Sequence, residues 1–255
     1  MKASTEEFLW ILLWTASQLA RPTYRNLTDD FEAWAWRNGF GPEIARLEAR
    51  KLLERENHES SADLVRLTNI GRLTALGGRD PDAKWARRWD GHWRMVVFDF
   101  PVCQNASRKR LWRSLRCEGF GFLQNSVWIT PDPIDASQLA VTSRVPSVEW
   151  IIVLEARPVG VESDAVMVNG AWDFEFINGE YRRYLDAIAG FPVCGLSGDE
   201  SRIWAEKERA AWKQAIRYDP FLPNALLPRT YLGREAWRER QVICQRLINE
   251  MAPPA

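Results

Sequence analysis

The side chains able to do chemistry fall into three groups. The first is a single carboxylate. Asp99 ends the apolar run Met95–Phe98 and precedes Phe100 and Pro101. Two such carboxylates with open positions on a divalent metal would activate water on a phosphodiester. No second acid stands close to Asp99 in sequence, and Asp and Pro also serve ordinary turn geometry. The second group is thiol and imidazole. Cys103, Cys117, Cys194 and Cys244 form no C-x-x-C pair, and only His58 and His92 could join them. That spacing argues against zinc and against a disulfide framework, and it holds no nucleophile elbow. The third group is cationic. Arg46, Arg50 and Lys51 fall on one segment, where their heads could reach bases or phosphates. Glu43 stands three residues before Arg46 and Glu54 four after Arg50, so a self-paired solvated face competes with that reading.

The elements that must position these groups follow from periodicity. Phe8, Ile11, Leu12, Thr15 and Leu19 recur at helical spacing up to Arg21 and Pro22. Asp29 with Glu32 forms an acidic cap before a second helix at Phe31 to Arg37. A third helix starts at Gly41 and Pro42, with Ile44, Ala45, Ala49 and Leu52 on its apolar face and Arg46 and Arg50 pointing away. A polar stretch from Glu56 to Asp63, containing His58, precedes a strand at Leu64 to Leu67 that includes Arg66. Thr68 then caps a short helix at Asn69 to Leu76. Three helices, a hairpin and a closing helix describe a winged helix-turn-helix. Gly77 to Pro81 breaks the pattern and marks a boundary. Lys84 to Trp89 interleaves basic and aromatic residues, which suits a packed linker helix with its charges outward better than a phosphate brace.

In the middle of the chain, Met95–Phe98 reads as a strand buried on both faces. Ser107–Cys117 reads as a helix with Leu111, Trp112 and Leu115 on one side and Arg108, Lys109, Arg110, Arg113 and Arg116 elsewhere; Gly119 stops it. Phe120–Thr130 resumes extended character, and Val148–Glu155 offers a third strand after Asp135–Ser143. The expected product is a split-βαβ, ferredoxin-like domain. Further on, Val166–Phe176 reads as a strand pair about Asn169 and Gly170. Helices follow at Asn178–Ala189 and Arg202–Ile216, then a proline-broken stretch from Asp219 to Pro228, then a last helix at Gly233–Met251. The expected fold class is α+β, with domains at 1–78, 79–157 and 158–255.

Composition narrows the function classes. Among 255 residues, Lys+Arg and Asp+Glu both number 34, so any nucleic-acid binding needs a local patch rather than a basic chain. The 14 tryptophans read as core and interdomain packing. Lys2 followed by Phe8–Trp14 mimics a signal peptide, but Glu6 and Glu7 precede the apolar run. No stretch approaches the ~20 apolar residues of a membrane span. A cytoplasmic protein without membrane contact is expected.

Three motifs carry a family resemblance. Trp89, Trp93, Arg94, Val96, Val97, Phe98, Asp99 and Pro101 fit a W-x-x-x-W-R-x-V-V-F-D-x-P strand. Gly119, Phe120, Gly121, Leu123, Gln124, Ser126, Val127 and Trp128 fit G-F-G-x-L-Q-x-S-V-W. Asp219, Pro220, Leu222, Pro223, Leu226, Leu227, Pro228, Gly233 and Ala236 fit D-P-x-L-P-x-x-L-L-P-x-x-W-x-G-x-x-A, with Tyr231 in place of its Trp. In these the chain resembles the PaaX family, bacterial repressors of phenylacetate degradation, from near residue 8 to residue 236. The junction Val65, Arg66, Leu67, Thr68, Gly71 and Arg72 matches that family's wing-to-helix step.

The resemblance implies a non-enzymatic, dimeric repressor on double-stranded operator DNA, with no cofactor, released by a small effector such as phenylacetyl-coenzyme A or a related aryl or acyl thioester. Its DNA contacts would come from Arg46, Arg50, Lys51, His58 and Arg66. The wing here also carries Glu56, Glu59 and Asp63, which oppose phosphate and make it more acidic than the family pattern. The middle domain is also similar to the small CRISPR-adaptation endonucleases, where an aspartate matching Asp99, paired across a dimer, holds Mg²⁺. A metal-dependent nuclease is therefore the rival reading. A dimerisation scaffold without DNA binding is the third.

Overall fold

The computed structural model describes residues 8–12, 41–58, 61–76, 79–134, 151–159, 163–192 and 195–251. The second helix expected at Phe31 to Arg37, the stretch Asp135–Ser143 and the start of the strand at Val148 lie outside them. In chain order the elements are α1 (Gly41–Ala49), β1 (Leu53–His58), β2 (Ser61–Leu67), α2 (Asn69–Ala75), α3 (Pro81–Ala86), β3 (Trp93–Phe98), α4 (Asn105–Cys117), β4 (Gly121–Gln124) and β5 (Val127–Thr130). There follow β6 (Ile151–Ala156), α5 (Asp164–Ala171), α6 (Phe174–Ala189), α7 (Gly198–Ala215) and α8 (Gly233–Met251). The fold class is α+β. The chain divides into two compact units, 1–80 with 185–213 and 235–255, and 81–184 with 214–234.

In the first unit, Ile44 and Leu47 of α1 meet Leu52, Leu53, Phe8, Leu9 and Leu12 in one apolar cluster. Ala45 and Ala49, expected on the buried face, are exposed. Alanine has little apolar area to remove from water, so the buried stripe centres on the larger Ile44 and Leu47 instead. β1 and β2 pair antiparallel from Leu53 opposite Leu67 to His58 opposite Ser61.

Further along the same unit, α7 begins at Gly198, earlier than the expected Arg202. The cause is a capping box. Glu200 accepts from the Ser197 amide and hydroxyl at 2.8 Å each, and its own amide donates to Ser197 Oγ. A buried ion pair lies beyond it. Arg240 donates to both Glu208 oxygens, at 2.6 and 3.2 Å. Its guanidinium lies over Trp212 and Trp237, 4.8 and 5.7 Å from the ring centroids. Burial and the nearby Glu208 push the Cys244 thiol well above its usual range.

The second unit is built on one antiparallel sheet of order β4-β5-β3-β6. Val96 of β3 stands between Trp128 of β5 and Val153 of β6. Val96, Phe98 and Trp128 pack with Leu111 and Leu115 of α4 and with Phe120. α4 ends as expected at Gly119, whose φ is +86°. The Phe120 amide reaches the Leu115 carbonyl at 3.0 Å and the Gly119 amide the Arg116 carbonyl at 3.1 Å, the two bonds of a Schellman turn.

Two expectations are corrected in this unit. Phe120–Thr130 is a hairpin rather than one extended segment, because Asn125 and Ser126 turn the chain and Val127 pairs with Gln124. Val166–Phe176 is not a strand pair. It is helical on both sides of Trp172 and Asp173, with Asn169 and Gly170 exposed within α5. Asp164 favours the start of α5 by its charge, Val168 and Ala171 bury at helical spacing, and Asp173 caps α6 through Oδ1 to the Phe176 amide at 2.9 Å. The close fit of α5 on β4 needs Gly121, where a Cβ would lie 2.6 Å from Ala171 Cβ.

The family-type motifs are structural seams of this unit. Arg94, buried, donates to both Asp90 oxygens, at 2.9 and 2.5 Å, and to the Pro131 carbonyl at 3.2 Å. Trp93 Nε1 donates to Asp164 at 2.9 Å. Asp219, 1% exposed, accepts from the Tyr181 and Tyr231 hydroxyls and, at 2.7 Å, from the Phe221 amide. Trp85 of α3 meets Phe221 and Tyr231 edge-on, and Arg87 bonds Asp132 at 2.5 Å. Lys84 to Trp89 is thus a packed segment.

Candidate nucleic-acid interface

The cationic group named from the sequence sits where α1 ends. Arg46 is exposed on α1 and ion-paired to Glu43 at 2.5 Å. Arg50 is exposed just past the helix, its amide donating to the Arg46 carbonyl at 3.2 Å. Lys51 is also exposed, and its backbone is left-handed at φ 57°. The Leu52 amide returns to the Leu47 carbonyl at 2.9 Å and the Lys51 amide to the Glu48 carbonyl at 2.8 Å. This is again a Schellman turn, with lysine where glycine is the usual residue. Leu47 and Leu52, the apolar pair of that motif, share the core cluster.

The turn changes the expected pairing. Glu54 does not continue the helix that carries Arg50. It lies on β1, in register opposite Arg66 of β2. His58 ends β1 opposite Ser61. The side chains of His58 and Arg66 lie outside what the structure describes. Arg46, Arg50 and Lys51 stay together on one helix end, while His58 and Arg66 belong to the hairpin.

Thr68, whose spacing predicts a helix cap, does more than cap. Its Oγ1 does accept from the Gly71 amide at 3.0 Å and starts α2. The same hydroxyl donates to the Lys51 carbonyl at 2.8 Å, and the Thr68 amide donates to the Leu52 carbonyl at 3.1 Å. Gly71 completes the join, since a Cβ there would sit 1.9 Å from the Leu52 carbonyl oxygen. One threonine and one glycine therefore lock the end of α1 to the start of α2. The signal was present in the T-x-x-G spacing, but its long-range partner was not.

In the second unit a cleft of ≈ 730 Å³ is lined by Phe122, Ala171, Trp172, Phe174, Asn178 and Arg182, among others. Asn178 is held by the Thr230 carbonyl and the Leu232 amide, at 3.1 and 2.9 Å. Asp99 is exposed just past the end of β3. Among the described residues no group of three or more His, Cys, Asp and Glu side chains could hold a metal ion. Among them, too, no helix is long and apolar enough to cross a membrane.

Comparison with known proteins bears on both units. Residues 86–168 match the model of the PaaX protein central Cas2-like domain. Over 245 residues the chain is 24% identical to the transcriptional repressor PaaX of Escherichia coli (strain K12), covering 85% of this chain and 71% of that one. It is also similar to a solved structure, the uncharacterized protein Rv0674 from Mycobacterium tuberculosis, at 24% identity, TM-score 0.49 and 84% coverage of each chain. The resemblance read from the motifs is borne out by the domain match and the repressor match.

Proposed function

We propose, from the PaaX-type resemblance as premise, that this protein is a DNA-binding transcriptional regulator acting as a dimeric repressor in the cytoplasm. The observation that carries the reading is the alignment to a transcriptional repressor over 85% of this chain. We further propose that residues 1–78 form a winged helix-turn-helix, 79–157 a ferredoxin-like domain and 158–255 an effector and dimerisation domain. The hairpin between α1 and α2 supports the first assignment. The order β4-β5-β3-β6, with β5 between the two strands of a split βαβ, supports the second.

In this reading α1 enters the major groove of operator DNA. Arg46 and Arg50 reach bases or phosphates, Lys51 grips phosphate from the helix end, and His58 and Arg66 act from the wing. Release comes from a small effector, an aryl or acyl thioester of coenzyme A such as phenylacetyl-coenzyme A. The second-unit cleft suits such a ligand, with Trp172 and Phe174 as aromatic walls and Arg182 as a cation for its acidic groups. A gel shift with DNA flanking the protein's own gene, with and without a thioester panel, tests the whole reading. A retarded band released by one thioester is expected. No band at low salt would sink the regulator reading, and a band that no thioester moves would sink the effector assignment.

A further inference from the structure

We infer that the solvent face of α4 is a separate phosphate-backbone contact surface, which grips double-stranded DNA without reading its sequence. The inference rests on the regulator reading above and concerns a helix that reading does not use.

α4 turns Ser107, Leu111 and Leu115 inward. With 3.6 residues per turn, the opposite face carries Lys109, Arg113 and Arg116, flanked by Arg110 and Arg108. All but the half-buried Arg108 are exposed. The three on the outer strip rise by roughly 6 Å and then roughly 4.5 Å along the axis. Five cations and no acid thus occupy a 13-residue helix. Glu118, just past its end, accepts from Ser114 at 3.1 Å. This stands out in a chain whose total charges cancel. It also differs from α1, where Arg46 is paired with Glu43.

Helix stability does not ask for this charge. Like charges three and four residues apart weaken a helix, and cations in its N-terminal half oppose the macrodipole. Four of the five cations are arginine, whose planar fork matches phosphate oxygens. Two are braced on indoles: Arg108 lies 5.3 Å from the Trp112 centroid and Arg116 lies 5.9 Å from that of Trp128. Bracing lowers the ordering cost of a phosphate contact and adds a cation–π attraction. A lipid surface fits less well. An interfacial helix needs a free apolar face, and that of α4 is spent in the core, with Leu111 and Leu115 0% exposed.

The test uses the full chain and two fluorescent duplexes, one carrying the operator and one of random sequence, titrated by anisotropy across a range of salt. In Lys109→Gln/Arg113→Gln/Arg116→Gln, the random-duplex Kd should rise roughly 100-fold near 0.1 M salt, and the salt slope should fall by about 2.7. The operator-to-random ratio should stay unchanged. A control, Arg88→Gln/Arg217→Gln/Arg229→Gln, removes the same charge from other exposed positions and should leave both readouts near wild type. Should the triple variant misfold by circular dichroism, Arg113→Gln alone should lower the slope by about 0.9. Wild type that binds duplex while the α4 variants keep its slope overturns this inference and leaves the regulator reading standing. Wild type that binds no duplex overturns both. Loss of binding to phosphatidylserine vesicles with duplex binding intact overturns the DNA assignment of this face.

Discussion

The Thr68 hydroxyl donates to the Lys51 carbonyl at 2.8 Å, across 17 residues of chain, while its oxygen accepts from the Gly71 amide. The end of one helix is thereby tied to the start of another through a single side chain. Thr68→Val removes both bonds at constant shape. It should cost about 1–2 kcal/mol in a urea titration, the upper range for a lost helix cap. Thr68→Ser should recover most of that. Full stability in Thr68→Val would show that the hydroxyl bonds contribute nothing, and an equal loss in both variants would show that the methyl group matters as much as the hydroxyl.

Lys51 holds a left-handed backbone at φ 57°, which costs an L-residue roughly 1–2 kcal/mol. Part of that returns if glycine is installed, offset by the entropy glycine loses on folding. Lys51→Gly should therefore raise stability by about 0.5–1 kcal/mol, whereas Lys51→Ala should not. Both lose the charge, so both should reduce the DNA salt slope by about one if Lys51 meets phosphate. Thermal melts and salt titrations on the same two proteins separate the effects.

Arg46 must leave Glu43 to reach DNA. Glu43→Gln removes the competing partner and should tighten operator binding, most visibly at low salt, where screening is weakest. Arg46→Ala should lower discrimination between operator and mismatched duplex by about 1–3 kcal/mol if the guanidinium reads a guanine. Unchanged operator affinity in both variants would favour the scaffold reading.

Asp90 carries an acid-sensitive share of stability. The hydrogen bond from Arg94, then that from the His92 amide, lowers its pKa to about 2. A depressed carboxylate contributes stability that is present above its unfolded pKa of about 3.9 and is lost as pH falls through the folded value. Between pH 4 and about 2, the wild-type stability curve should therefore drop more steeply than that of Asp90→Asn. Parallel curves in that window would remove Asp90 from the acid limb.

Tyr181 and Tyr231 carry the opposite sign. Burial, then the Asp219 carboxylate, pushes both phenols well above their usual range. A raised pKa contributes stability that is complete below the unfolded value of about 10 and is lost as pH rises beyond it. Tyr181→Phe should cost about 1.5–3 kcal/mol at neutral pH, through the lost bond to a carboxylate, and should flatten the alkaline limb. Loss at neutral pH with an unchanged alkaline limb would assign that limb to other groups.

The sequence alone determined the elements whose signals are local. Gly119 ends α4 because only a left-handed residue closes that turn, and Gly233–Met251 is a helix by periodicity. Thr68 was readable as a cap and Trp85 as a packing residue, for the same reason. Expectation and structure differ where two local signals compete. Asn169 and Gly170 carry a turn signature, yet burying Val168 and Ala171 at helical spacing outweighs it. Ala45 and Ala49 fit the apolar stripe in pattern but have too little area to set its centre. Tertiary structure alone decided what lies far apart in sequence: Thr68 on Lys51, Asp219 accepting from Tyr181 and Tyr231, and Arg240 on Glu208 and over two indoles. The last two are polar groups taken from water, so each needs a partner, and the chain supplies it from 12 to 38 residues away. Residue spacing carries no record of such a partner, because only the packed backbone brings donor and acceptor within reach.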